Sequence, residues 1–104
     1  MWTLAIDGEP RRTFRIVPGS VRTIGRAAGA DFILDAPLVS RVHCRLTSLA
    51  DGGLELRDLE STNGTFVNGQ RVQTARLVQG DRLRVGRVEL LVTAELEESE
   101  SGRR

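Results

Sequence analysis

The chain has 104 residues, 39% hydrophobic and 28% charged, with a formal net charge of +1. That size and mixture fit one globular domain and exclude a disordered polyelectrolyte. No apolar run approaches the roughly 20 residues of a membrane helix, and the opening MWTLAIDGEP lacks the basic and long apolar regions of a secretory signal, so no membrane association and a cytoplasmic location are expected.

In chain order, apolar residues alternate in Trp2-Leu4-Ile6, Phe14-Ile16, Val42-Cys44-Leu46, Leu54-Leu56, Leu83-Val85 and Val88-Leu90-Val92. Each run places its apolar side chains on one face of a strand. Turn signals separate them: Asp7-Gly8, Pro18-Gly19, Asp51-Gly52-Gly53, Asn63-Gly64, Asn68-Gly69, Gln79-Gly80-Asp81 and Gly86. The stretch from Leu46 to Leu59 is the one segment with helical spacing, and Gly52-Gly53 interrupts it. Short strands with turns at these intervals predict an all-β, antiparallel β-sandwich. The last ten residues, ELEESESGRR, carry a net charge of −2 and leave the remainder at +3. A domain over residues 1–96 with an acidic, disordered tail over 97–104 is expected.

Catalysis has few candidates. There is one histidine, one cysteine and no strand-to-helix nucleophile turn, so no enzyme is expected. Cys44 sits between Val42 and Leu46, two positions from each at strand spacing, and reads as a small buried hydrophobe. Asp31 and Asp35, either side of a short strand, read as solvated acids. No cluster has metal-ligand spacing, and neither metal nor cofactor is expected. Gly25-Arg26-Ala-Ala-Gly29 lacks the glycine pattern and following helix of a nucleotide loop. Nucleic-acid binding is disfavoured by the weak charge balance and by an aromatic content of 4%, with Trp2 and Phe14 assigned to apolar faces. His43 alternates with Arg41 and Arg45, opposite Val42 and Cys44, and can brace two loops through its ring nitrogens.

Three loops then converge: Gly25-Arg26; Ser40-Arg41-Val42-His43; and Ser61-Thr62-Asn63-Gly64-Thr65, followed by Asn68-Gly69 and Gly80-Asp81. In this order and spacing the chain resembles the forkhead-associated (FHA) domain family. The resemblance implies a sandwich of about eleven strands that binds phosphothreonine peptides through loops at one end. Carried over by position, it implies that Arg26, Ser40, Arg41 and Thr62 surround the phosphothreonine and that Asn63 holds the peptide main chain. Gly25, His43, Gly64 and Asn68 match structural positions. The implied partner is a phosphorylated protein, a Ser/Thr kinase or its substrate, bound by a monomer.

The chemistry is consistent with that assignment. A phosphothreonine is close to dianionic and offers three acceptor oxygens, and an arginine fork meets two of them. All 15 basic residues are arginine, which also suits a GC-rich bacterial genome. The threonine methyl supplies about 0.8 kcal/mol, only some fourfold over phosphoserine, so a stronger preference needs a shaped pocket and the stiff β-branched rotamer. In this family the framing loops set further selectivity, and Pro37-Leu38-Val39 implies tolerance for an aliphatic residue three positions after the phosphothreonine. A phosphate-independent scaffold and a salt-sensitive nucleic-acid binder stay as rival classes.

Overall fold

The computed structural model describes residues 1–95, so the 97–104 segment lies outside the described residues. The described chain forms eleven strands and no helix. They are β1 (Trp2–Ile6), β2 (Glu9–Ile16), β3 (Val21–Gly25), β4 (Phe32–Ile33), β5 (Cys44–Ser48) and β6 (Leu54–Asp58), then β7 (Thr65–Val67), β8 (Gln70–Val72), β9 (Thr74–Leu77), β10 (Arg82–Val85) and β11 (Val88–Ala94). Two sheets pack face to face, one ordered β2-β1-β11-β10-β7-β8 and the other β4-β3-β5-β6-β9.

Alternation explains the core. Trp2, Leu4 and Ile6 of β1, Leu46 of β5, Leu54 and Leu56 of β6, Leu83 and Val85 of β10, and Leu90 and Val92 of β11 are buried between the sheets. Fully burying one such side chain stabilises the fold by about 1.5–3 kcal/mol. Along one edge, Phe14 of β2 stacks on Phe32 of β4 with ring centroids 4.6 Å apart, so the open sides of both sheets share an aromatic clasp.

The expected sandwich is present with one local exception, and one expectation about its strands needs correction. The sandwich is antiparallel except at β3 and β4, which run parallel with Ile24 opposite Phe32. The reversal follows from Asp31, whose carboxylate accepts the Thr23 N–H and hydroxyl at 2.9 and 3.1 Å and folds the intervening loop back beside β3. Asp31 is therefore a bonded strand-end acid, and those Thr23 bonds hold its carboxyl below the usual aspartate range. The correction concerns Val42, which does not share a buried face with Cys44. Strand β5 begins at Cys44; Val42 lies in the preceding bend, 44% exposed, while His43 is fully buried.

That bend has a steric origin. The Arg41–Val42 backbone passes directly over β3 at Gly25, where an added β-carbon would lie 2.1 Å from the Arg41 carbonyl oxygen and 2.9 Å from the Val42 Cα. Only glycine permits the crossing, and the crossing shifts the alternation by one residue before β5 begins.

Candidate functional site

Three loops meet at one end of the sandwich, and local bonding holds them in register. Ser40 is the junction. Its N–H donates to His43 Nδ1 at 3.0 Å, its carbonyl accepts the Arg26 N–H at 2.9 Å, and its Oγ accepts the Thr62 N–H at 3.0 Å. One serine thus ties the β3–β4, β4–β5 and β6–β7 loops together.

His43 completes the tie. Because the Ser40 amide can only donate, Nδ1 must accept, and Nε2 carries the ring proton and donates to the Gly64 carbonyl at 2.8 Å. Its own N–H donates to the Ile24 carbonyl, and its carbonyl accepts the Leu59 N–H. The fully buried ring spans the loops before and after the second sheet's central strands.

The β6–β7 loop is built around Asp58, which no strand period or motif marks in the sequence. Its buried carboxylate accepts the Ser61 hydroxyl at 2.6 Å, the Thr65 hydroxyl at 2.6 Å and the Ser61 N–H at 3.1 Å. The Ser61 oxygen in turn accepts the Gly64 N–H at 2.9 Å. Burial opposes the charge on Asp58, but the bonds from Ser61 and Thr65 outweigh it and hold the carboxyl below its ordinary value of 3.8. The signal that remains is an Asp followed three residues later by Ser, the spacing of a local side-chain turn. Nearby Cys44 is fully buried, and burial first, then the Asp58 charge, push its thiol upward, so it is an inert core group.

The sign of the Asp58 shift sets an acid limit. Since its folded-state value is lowered, its contribution is complete above the ordinary 3.8 and is lost as pH falls through the lowered value. Asp58→Asn is expected to cost about 1–3 kcal/mol at pH 7, and the gap from the parent should narrow below pH about 4. Urea melts of both proteins across pH 3–7 check this; a gap that is constant with pH would refute it.

The resulting cleft has a volume of about 580 Å³ and gathers Arg26, Ser40, Arg41, Thr62 and Asn63, the five residues expected to contact ligand, together with Leu38, Val39, Val42 and Glu60. Arg26 donates its Nε to the Val39 carbonyl at 3.0 Å, which fixes the side chain but leaves both terminal nitrogens for an anion. Ser40 Oγ is an acceptor toward Thr62, so its own proton remains to donate. Asn63 donates one amide proton to the Leu38 carbonyl at 3.1 Å and keeps its oxygen and second proton. The aliphatic surface of the cleft comes from Leu38 and Val42, 43% and 44% exposed, whereas Val39 is consumed by the core.

The two Asn-Gly pairs differ. At Asn68-Gly69 both residues have positive φ, 51° and 85°, and Val67 pairs with Gln70 across a two-residue turn. The Asn68 side chain accepts the Arg82 N–H and donates to Asp81, at the end of β7 remote from the cleft. At Asn63-Gly64 only Gly64 has positive φ, 88°, and it follows the Asp58–Ser61 turn rather than forming a hairpin. Glu60 and Val42 were not foreseen in the cleft.

A two-sheet β-sandwich with a polar, arginine-bearing cleft between loops at one end defines a recognition domain. Residues 22–86 match the family model of the FHA domain, and the chain belongs to that family, which is a non-catalytic recognition module. The chain is 46% identical over 81 residues to an ABC transporter ATP-binding/permease protein of Mycobacterium tuberculosis, a match covering 78% of this chain and 9% of that protein. It is 42% identical over 91 residues to the FHA domain-containing protein FhaA of the same organism, covering 86% of this chain and 17% of FhaA. Against the glycogen accumulation regulator GarA of Mycolicibacterium smegmatis it is 35% identical over 78 residues, 75% of this chain and 49% of GarA. The match thus spans less than half the length of each of these relatives.

Among solved structures, a domain from work on phosphothreonine-dependent FHA domain interactions superposes with a TM-score of 0.83 at 37% identity, covering 90% of this chain and 96% of that one. The FHA domain of FhaA, complexed with the intracellular domain of Rv3910, gives 0.80 at 39% identity, covering 88% and 99%. No helix among the described residues is long and apolar enough to cross a membrane.

Proposed function

We propose that this chain is a phosphothreonine-recognition module, spanning residues 1–96, in a Ser/Thr kinase signalling system. One observation carries the reading: in a single cleft, Arg26 and Ser40 have the rest of their bonding capacity committed to the scaffold and keep back the donors that a phosphate needs. Arg26 presents two terminal nitrogens to phosphate oxygens, Ser40 donates its hydroxyl proton, and Arg41 adds a second cation at the rim. Thr62 borders the threonine methyl together with the exposed Val42 surface. Asn63 holds the peptide main chain with the amide groups that Leu38 leaves unused. Gly25, His43, Gly64 and Asn68 serve the scaffold.

The partner is a phosphorylated protein, a kinase or its substrate, and the FhaA domain complexed with the intracellular domain of another protein supports a protein partner. A monomer acting in the cytoplasm suits this role, since ATP-dependent kinases write the mark there. The module itself performs no catalysis.

The test is a calorimetric titration with one peptide in phosphothreonine, phosphoserine and unphosphorylated forms. The phosphothreonine form should bind, the phosphoserine form more weakly, and the unphosphorylated form not detectably. Equal binding of the unphosphorylated form would instead identify a scaffold domain, and affinity for nucleic acid falling steeply with salt would identify a nucleic-acid binder.

A further inference from the structure

Glu60 is an anomaly in this cleft. It lines the cleft with Arg26 and Arg41, and it also lines an adjoining hollow of about 260 Å³ with Arg57, Asp58, Leu59 and Gln73. With three arginines bordering those two spaces, its carboxylate forms no ion pair or hydrogen bond among the described residues. Its backbone is also in the left-handed region at φ 56°, a conformation that asparagine or glycine adopts at lower cost. Strain at a binding-site position points to a role for the side chain.

Charge balance indicates that role. Two guanidinium groups and one carboxylate give the cleft a net charge of +1, and a phosphothreonine brings about −1.5 to −2. The occupied cleft is therefore anionic by about half to one charge, with an unpaired carboxylate that lines both the cleft and the second hollow. Arg57 lines the second hollow and forms no ion pair with Glu60 among the described residues.

Resting on the functional reading above, we infer that Glu60 is a specificity-determining residue that selects phosphothreonine peptides carrying a lysine or arginine at a position flanking the phosphothreonine. Its salt link to that residue forms at a solvated rim, where such a pair contributes about a 1.4- to fivefold gain in affinity, as 0.2–1 kcal/mol implies. The inference also explains why a left-handed position holds glutamate: asparagine there would relieve the backbone but carry no charge.

The experiment is fluorescence anisotropy on a labelled, alanine-based phosphothreonine peptide with an aliphatic residue three positions after the phosphothreonine. Each other flanking position is replaced in turn by Lys, Ala or Glu, and binding is measured for the parent, Glu60→Asn and Glu60→Lys. The parent should prefer Lys over Ala by about 1.4- to fivefold at one or two positions; Glu60→Asn should erase that preference, and Glu60→Lys should turn it toward Glu. Glu60→Asn should also melt at or above the parent temperature, which excludes misfolding as the cause. Parent binding that needs the phosphate but treats Lys, Ala and Glu alike overturns the inference alone, as does a lysine preference that survives in Glu60→Asn. Binding that does not need the phosphate overturns the functional reading and this inference with it.

Discussion

Arg26→Ala is expected to reduce phosphothreonine-peptide affinity by at least about 100-fold while costing little stability. The binding loss follows from removing a fork that makes two charge-assisted bonds to the phosphate, each contributing about 1.5–3 kcal/mol. The small stability cost follows from the single scaffold bond the side chain makes among the described residues, Nε to the Val39 carbonyl at 3.0 Å. That bond, from a charged donor on an exposed side chain, is worth about 1.5 kcal/mol, or roughly 5–10 °C of melting temperature. Arg26→Lys is the informative companion: it keeps the charge but loses both the Nε bond and the planar fork, so its affinity should lie between the two. Calorimetry with a phosphothreonine peptide, paired with thermal melts, checks the set. Parent-like affinity in Arg26→Ala would remove Arg26 from the site, and a collapse of stability would make its role structural.

The contrast between those two readouts shows which parts of the site could be read from the chain alone. Core positions announce themselves because strand side chains alternate with period two, and Leu54-Glu55-Leu56-Arg57 displays it fully, buried and exposed in turn. The ordered Gly-Arg, Ser-Arg-x-His and Ser-Thr-Asn-Gly-Thr motifs, through their resemblance to the FHA pattern, likewise group Arg26, Ser40, Arg41, Thr62 and Asn63, and all five line one cleft. Val42 was misread because alternation assumes an unbroken strand, whereas the chain there bends over Gly25 and slips phase. Asp58 was missed because its three bonds run to residues three and seven positions on, in a loop with no period to reveal them. Glu60 was missed for a different reason. A left-handed backbone is readable when glycine or asparagine occupies it, as at Asn68-Gly69, but a glutamate gives no local sign of it. The parallel β3–β4 pair depends on the Thr23–Asp31 bonds, a tertiary consequence of two ordinary residues.

His43→Ala carries the largest expected loss of stability. Truncation leaves the Ser40 N–H and the Gly64 carbonyl without their imidazole partners in a fully buried setting. Each orphaned group costs about 1–3 kcal/mol, and the space left by the ring adds a cavity term. A total near 3–5 kcal/mol is a large share of the 5–15 kcal/mol that holds a small domain folded. For a domain of this size the melting temperature should fall by roughly 10–25 °C. Affinity should fall too, because the ring holds Ser40 on one side of the cleft and Gly64, next to Asn63, on the other. The discriminating measurement is peptide affinity at a temperature where the variant is still folded. If His43 acts by bracing, the folded variant binds more weakly and its amide exchange accelerates at both Ser40 and Gly64. If it contacted the ligand instead, the melting temperature would stay at the parent value while binding disappeared, a result that the burial of the ring and the occupation of both its nitrogens argue against.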